Sequence, residues 1–313
     1  MKVLIIGANG YVGNVIAEKC MSKGWPVVGS TRSPEGFERL RNQGMQPHLG
    51  SLNEPDSLLS VYPQVDAVVY SAYGYNDPGN AAHEIAQGKS HISWILEAMF
   101  DSGKIFVLTS GTGVFPDTTD TVFTEETPLP PTDSPITMAR RNLEIEAQAA
   151  AQHGVHSIVL RPPTVYGRGG SFLVPRFLLD HARSVGESVY IEGTENNKWS
   201  AVHVDDLAHL YILALEKAQP GSLFHTASES GITTHKIAES ISRAAKLGGK
   251  TKAITLKDVQ TLFGPWAEWW GINNQSSGEK ARTQLGWNPQ ATPMLEDIEH
   301  GSYMANVAGI ATP

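Results

Sequence analysis

The chain predicts a doubly wound, parallel α/β sheet followed by a smaller C-terminal lobe, and two observations carry that prediction. First, short apolar runs alternate with helical patterns: Val3–Ile6, Val27–Gly29, Ala67–Tyr70, Ile105–Leu108 and Ser157–Leu160, with a further short strand near Gln46–Leu49. Runs of this kind, interleaved with helices, mark parallel strands covered on both faces. Second, the first run enters Gly7-Ala8-Asn9-Gly10-Tyr11-Val12-Gly13, three glycines spaced G-x-x-G-x-x-G. An amphipathic helix follows at once, with Val12, Val15, Ile16 and Cys20 on one side.

The remaining elements follow in order. Helices are expected around 12–23, 35–43, 54–61, 81–101 and 135–153, with Gly24, Gly44, Gly103 and Gly154 as stops, the usual C-terminal punctuation. Asp117–Pro135, rich in Thr, Asp and Pro, reads as a surface excursion. Beyond Arg161 the alternation loosens. Asp205 is expected to cap a helix to about Lys217, and Thr233 or Thr234 another to about Leu247, as residues whose side chains accept from free N–H groups do. Residues 1–165 therefore read as a Rossmann nucleotide-binding domain, its core continuing in part to about 230, and 166–313 mainly as a substrate lobe.

Composition sets outer limits. The 313 residues are 41% hydrophobic and 18% charged, with a formal net charge of −8. That balance fits a soluble globular protein and argues against nucleic acid or an anionic membrane surface as the main partner. The single cysteine, Cys20, cannot form an internal disulfide, in keeping with a reducing, cytoplasmic setting. No apolar run of membrane-spanning length is present, and Met1-Lys2 opens straight into a strand, so neither a span nor a signal peptide is expected. His83 and His91 lie on a predicted helix without acidic or Cys partners at metal-ligand spacing, and no metal is predicted.

The glycine loop carries the clearest chemistry. A strand–turn–helix of this kind grips a dinucleotide pyrophosphate with backbone N–H groups and a helix N-terminus. Gly7 permits the sharp turn, Gly10 admits the phosphate and Gly13 allows close packing, while Asn9, Tyr11 and Val12 complete the loop. An NAD-selective site places an acid about 20 residues further on, at the ribose 2′-OH. Here that position holds Thr31 and Arg32, and no carboxylate lies between Lys19 and Pro34. A guanidinium beside small hydroxyls suits a 2′-phosphate, so NADP(H) is the expected cofactor. The alternative is that Arg32 is a solvated loop residue.

Several segments together resemble the extended branch of the short-chain dehydrogenase/reductase superfamily, the epimerase/dehydratase-like proteins. Gly50-Ser51-Leu52 falls where that family has an adenine-contacting G-D-L, Ser51 replacing the acid. Tyr70-Ser71-Ala72, followed by Tyr73, is similar to the strand end beside the cofactor ribose. Thr109-Ser110-Gly111 with Val114-Phe115 resembles S-S-x-x-V-Y, Arg161-Pro162-Pro163-Thr164-Val165-Tyr166-Gly167 resembles R-P-x-x-V-Y-G, and Val202–Ala208 matches V-H-V-D-D-L-A. The resemblance, which extends to about residue 290, implies cofactor contacts from Ser51, Leu52, Ser71, Ala72, Tyr73, Thr109, Ser110, Arg141, Pro162, Pro163 and Val165. It also implies structural roles for Tyr166 and His203, and pairing into a homodimer.

The catalytic set departs from the family. Its members use a Ser or Thr with a Y-x-x-x-K pair, in which the phenol hands over a proton and the Lys lowers its pKa. Gly111 stands at the hydroxyl position, flanked by Ser110 and Thr112. The helix that should carry the pair reads Ser134–Glu144 without Tyr or Lys; Thr137 and Arg141 keep the four-residue spacing, and Ile136 and Arg140 keep it in the adjacent register. Arginine holds its proton at neutral pH, and a Thr hydroxyl is a far weaker acid than a phenol. The candidate catalytic residues are Ser110, Thr112, Thr137, Arg141 and Tyr73. Trp266, Trp269 and Trp270 would form one aromatic face if helical, either packing the small lobe or covering an apolar or aromatic substrate with Phe172, Phe177 and Tyr190. Residues 168–200 contain Arg168, Arg176 and Arg183 but no obvious basic clamp for a sugar diphosphate. Three readings stay open: an NADPH-dependent reductase of a carbonyl, imine or conjugated alkene in a small molecule; a redox-neutral epimerase, isomerase or cyclase; and a non-enzymatic NADP(H)-sensing regulator.

Overall fold

A computed structural model describes residues 1–52, 54, 56–72, 91–171 and 174–304. Seven strands form the main sheet: β1 (Val3–Ile6), β2 (Val27–Thr31), β3 (Gln46–Leu49), β4 (Ala67–Tyr70), β5 (Ile105–Thr109), β7 (His156–Arg161) and β11 (Ser222–His225). Their order is β11-β7-β5-β4-β1-β2-β3, and every neighbouring pair is parallel. Strand order reverses at β1, with β2 on one side and β4 on the other, which opens a crevice at the carboxyl ends where α/β sheets bind ligands.

Burial on both faces explains the unbroken apolar runs. Val3 and Ile5 enter one core with Val15 and Ile16 of α1 (Tyr11–Ser22) and Leu207, Leu210 and Tyr211 of α7 (Val204–Lys217). Leu4 and Ile6 enter the other, with Ile92, Ile95 and Leu96 of α4, the helix over 91–99, and Leu143 and Ala147 of α5 (Pro135–Ala149). Side chains alternating along a strand require both layers. Cys20 is fully buried on α1, and burial pushes its thiol up to about 12.

The remaining strands and helices build a second core. Strands β8 (Thr164–Tyr166), β10 (Lys198–His203) and β12 (Glu229–Thr233) form one small sheet, and β9 (Ser188–Ile191) pairs with β13 (Thr251–Ile254). Around them pack α6 (Arg176–Val185), α8 (Thr234–Ala244), α9 (Leu256–Phe263) and α11 (Met294–His300). Helix α10 (Glu279–Leu285) instead closes on the main sheet through Ala281 and Leu285.

The structure changes several details. Asp205 is not the cap of α7; the cap is His203, whose Nδ1 accepts from the Asp205 N–H at 3.1 Å, one residue inside the helix. Thr233 does cap α8, accepting from Lys236 N, but the helix stops at Ala244. The 54–61 helix shrinks to a single turn, α3 (Asp56–Leu59), followed by a 3₁₀ turn at Tyr62–Gln64. Within the 117–135 excursion, β6 (Val122–Phe123) pairs with β14 (Gln275–Ser276) and so ties the loop to the small lobe. Residues 81–90 of the expected 81–101 helix lie outside the described residues.

Candidate functional site

The glycine loop sits at the β1–α1 turn on the sheet's carboxyl edge. Gly7 has φ +97°, and a Cβ there would lie 2.6 Å from the Ser71 carbonyl oxygen, so this position needs glycine on both counts. A Cβ on Gly13 would lie 2.2 Å from Gly7 O, which fixes how closely α1 approaches β1. Gly10 differs. It is exposed, and a Cβ there would meet only Gly7 O, at 3.2 Å, with open space beyond. No side chain caps the α1 N-terminus, leaving its N–H groups for an anion. Asn9 Oδ1 is buried with no hydrogen-bond partner among the described residues. An open cradle, an uncapped helix and an orphaned acceptor fit a dinucleotide pyrophosphate and ribose. Val12 and Gly13 lie in the first turn, and Tyr11 turns away, donating to Gly167 O at 2.8 Å with its ring against Gly170.

At the end of β2, Ser33 Oγ accepts from Gly36 N at 3.0 Å and caps α2 (Pro34–Asn42), while Thr31 Oγ1 accepts from Ser33 N. Arg32 is exposed in this turn. A Cβ on Gly36 would strike Thr31 Oγ1 at 2.1 Å and Asn9 Nδ2 at 2.8 Å, which brings the turn and the glycine loop together. Further along the rim, Ser51 N donates to Ser57 Oγ, Leu52 and Ala72 pack on the α4–α5 face, and Ser71 N donates to Ile6 O. Pro162 and Pro163 are buried at the end of β7, and Val165 is half-buried in β8. Tyr73, Tyr75, His83 and Phe172 lie outside the described residues.

Beyond β5 the altered catalytic positions come together. Thr109 Oγ1 pairs with Tyr211 OH at 2.7 Å. Ser110 Oγ is buried with no partner among the described residues, and an unsatisfied buried hydroxyl costs about 1–3 kcal/mol unless a ligand completes it. Thr112 is buried, its N–H donating to Pro162 O at 2.9 Å. Thr137 is buried on α5 and donates to Gly113 O at 3.3 Å. Arg141 places Nε and Nη2 on Val114 O at 2.9 and 2.7 Å and Nη1 on Pro130 O at 2.6 Å. Its guanidinium thus pins two loops to α5, and burial, then Arg161, lowers its pKa. Arg141→Ala is expected to lower stability by about 1–3 kcal/mol, for the carbonyls left without donors, with NADPH affinity changed less than threefold. Urea denaturation beside a cofactor titration checks this; a large affinity loss at unchanged stability would contradict the pinning role.

Arg140, one residue earlier, faces the rim. It is 5% exposed, and its Nη1 lies 2.9 Å from where a Cβ on Gly111 would stand. Its guanidinium carbon is 6.0 Å from the Trp269 ring centroid. The Trp269 six-membered ring lies 3.3 Å from where a Cβ on Gly113 would be. The segment Pro265–Gly271 is a 3₁₀ helix, in which Trp270 is buried in the small-lobe core with Phe263 and Trp269 reaches the rim. The 274 position locks this contact, Asn274 Nδ2 donating to Thr112 O at 3.2 Å.

Support below the rim comes from a buried ion pair. Arg161 donates to both oxygens of Glu144 on α5, at 2.9 and 2.6 Å, and lies 3.2 Å from His225 Nε2. Burial, then the guanidinium, drops His225 to about 3, so it faces Arg161 neutral. Tyr166 donates to Thr292 O, and His203 caps α7; both hold the scaffold. The three arginines of the 168–200 stretch are engaged within the chain: Arg168 with Asp205 and Glu18, Arg176 with Asp180 and Gly169 O, Arg183 with Tyr303 O. Among the described residues no cluster of His, Cys, Asp or Glu is arranged to hold a metal, and no helix is long and apolar enough to cross a membrane.

The comparisons agree with this geometry. An uncharacterized protein of Schizosaccharomyces pombe is 31% identical over 97% of this chain and 100% of its own length. The 2-alkyl-3-oxoalkanoate reductase of Stenotrophomonas maltophilia is 27% identical over 71% of this chain and 67% of its own. Among solved structures, UDP-glucose 4-epimerase of Thermotoga maritima, with UDP-glucose, superposes with a TM-score of 0.78 at 18% identity, over 97% of this chain and 98% of that one, which supports the fold. Residues 3–227 match the NAD dependent epimerase/dehydratase family, and the chain belongs to that family.

Proposed function

We propose that this protein is an NADP(H)-dependent oxidoreductase that reduces a carbonyl, or an imine or conjugated alkene, in a small, fairly apolar or aromatic molecule. Residues 1–165, with β11, would hold the dinucleotide, and most of 166–313 would hold the substrate. One observation favours this above the alternatives: Trp269 walls the rim beside Gly113 and Arg140, while Arg168, Arg176 and Arg183 are engaged elsewhere. An aromatic wall with few polar groups suits an apolar ligand, and a sugar diphosphate would find none of those guanidinium groups waiting. The likeness to an oxoalkanoate reductase is consistent with it.

The glycine loop and the α1 N-terminus would bind the pyrophosphate, and Arg32 a 2′-phosphate. When bound, the reduced nicotinamide supplies hydride. Ser110 Oγ would donate to the acceptor oxygen, and Trp269 would exclude water above it. Incubation with NADPH and a panel of aryl ketones, enones and aliphatic ketones should give NADPH oxidation above background, greatest with flat substrates; none with any member would reject the reading. Arg32→Ala should weaken NADPH by about tenfold, a 1.4 kcal/mol loss, and leave NADH nearly unchanged; equal losses would remove the 2′-phosphate contact.

The absence of Tyr and Lys from 134–144 favours one second reading, a redox-neutral epimerase, isomerase or cyclase. A substrate that rearranges while bound cofactor shows no net turnover would mark it.

A further inference from the structure

We propose that a cleft inside the small lobe, lined by Trp199 and Trp270, seats the hydrocarbon end of the substrate: a single ring or a short branched chain with no polar group of its own. This deepens the reductase reading and rests on it, since the reacting group would stand at the rim while the rest of the molecule fills the cleft.

The walls come from separate elements of that lobe. Leu178 of α6, Val189 and Ile191 of β9, Trp199 of β10, Ile237 of α8 and Trp270 of the Pro265–Gly271 segment surround about 310 Å³ of space, the open mouth included. All six belong to the second hydrophobic core, yet they leave this room unfilled. An apolar cavity of roughly 150 Å³ stays dry and takes a benzene ring, so the space here suits one ring or a short chain.

Polar chemistry is withdrawn from the cleft. The Trp199 indole N–H donates to Ile272 O at 2.8 Å. The hydroxyl of Thr234, also in the wall, donates to Thr194 O. Trp270 Nε1 is buried, without surface toward the cleft. What the lining presents is overwhelmingly apolar. A group bearing charge or hydroxyls would lose its water here and find no replacement. A hydrocarbon gains transfer energy and restores the contacts that empty space denies the lining.

Two ties join the cleft to the rim. Trp270 follows Trp269, which lies against Gly113. Trp199 is bridged through the backbone to Asn274, and Asn274 Nδ2 donates to Thr112 O at 3.2 Å. The wall of the cleft and the loop after β5 are therefore connected. A molecule held by its hydrocarbon end has its orientation at the rim set from the small lobe.

Toluene, which carries no polar group, is the probe, titrated calorimetrically into the purified protein with and without NADP⁺ beside a melting scan. Saturable binding at millimolar toluene or below is expected, with a raised melting temperature. Leu178→Phe adds bulk to the wall and should weaken toluene by about tenfold. Val189→Ile, one methylene larger in an unchanged strand, should weaken it by about threefold. No toluene binding to the native protein, binding unchanged in both folded variants, or displacement of toluene by UDP overturns the proposal. NADPH consumption with butanone and benzylacetone separates the two readings. Benzylacetone should have a kcat/KM about tenfold higher, and Leu178→Phe should bring the two ketones level. Toluene binding with neither ketone turned over defeats the reductase reading and leaves the cleft. Turnover of both at equal kcat/KM, without toluene binding, defeats the cleft alone.

Discussion

Gly10→Val is expected to leave the chain folded and to weaken NADPH binding by about 100-fold or more, two steps of 1.4 kcal/mol. The space around the three glycines makes the result specific. At Gly10 a Cβ meets only Gly7 O at 3.2 Å, and the residue is exposed with φ −79°, so the apo protein accommodates it with a small adjustment. The branched side chain then occupies the open volume over the uncapped end of α1, where a pyrophosphate must come. Gly13→Ala serves as the contrast. Its Cβ falls 2.2 Å from Gly7 O, a clash of backbone with backbone, and overpacking of this kind costs about 1–3 kcal/mol or more. Melting and nucleotide titration together read the difference: Gly10→Val loses binding at near-native stability, and Gly13→Ala loses stability first. Gly10→Val with native NADPH affinity would remove the pyrophosphate from this loop.

Glu144→Ala should lower the stability of the fold by about 3–5 kcal/mol, the range for stranding a buried charge. The Arg161 and Glu144 side chains are 5% and 2% exposed, and the guanidinium fork meets both carboxylate oxygens. Removing the carboxylate leaves Arg161 facing a neutral His225 and the Phe115 ring, 5.6 Å from its guanidinium carbon. Neither supplies negative charge. The double variant Glu144→Leu/Arg161→Met should recover much of the loss, because exchanging a whole buried pair for apolar residues is often neutral. Urea denaturation of both variants decides it: a single-variant loss below about 1 kcal/mol would mean water or another group already compensates Arg161.

Much of this was legible in the residues themselves. The strand runs, the glycine spacing and the helix stops place the sheet because each reports a local constraint: burial on two faces, a positive φ at Gly7, close approach at Gly13. The cap of α7 was misread because Asp205 is the usual capping type, whereas the imidazole of His203 does the work from the end of β10. The tryptophans misled for a similar reason. A face of Trp266, Trp269 and Trp270 presumes a period of 3.6, but Pro265–Gly271 winds as a 3₁₀ helix, with Trp270 buried in the core and Trp269 against Gly113. Arg140 and Arg141 are neighbours in sequence, and only tertiary contacts separate the loop pin from the residue beside Gly111. One signal was available: a glycine standing where the family has a hydroxyl, in a chain whose next helix carries an arginine where it has a lysine. The Arg161–Glu144 pair, 17 residues apart in sequence, left no such mark.

Isothermal titration of cofactor-stripped protein with NADPH and NADH tests the central claim most directly. The account predicts saturable heat for NADPH and an affinity for NADH about tenfold lower, the worth of one charge-assisted phosphate contact. No heat with either nucleotide would contradict the cofactor site itself, and equal affinities would contradict the assignment of Arg32 to a 2′-phosphate.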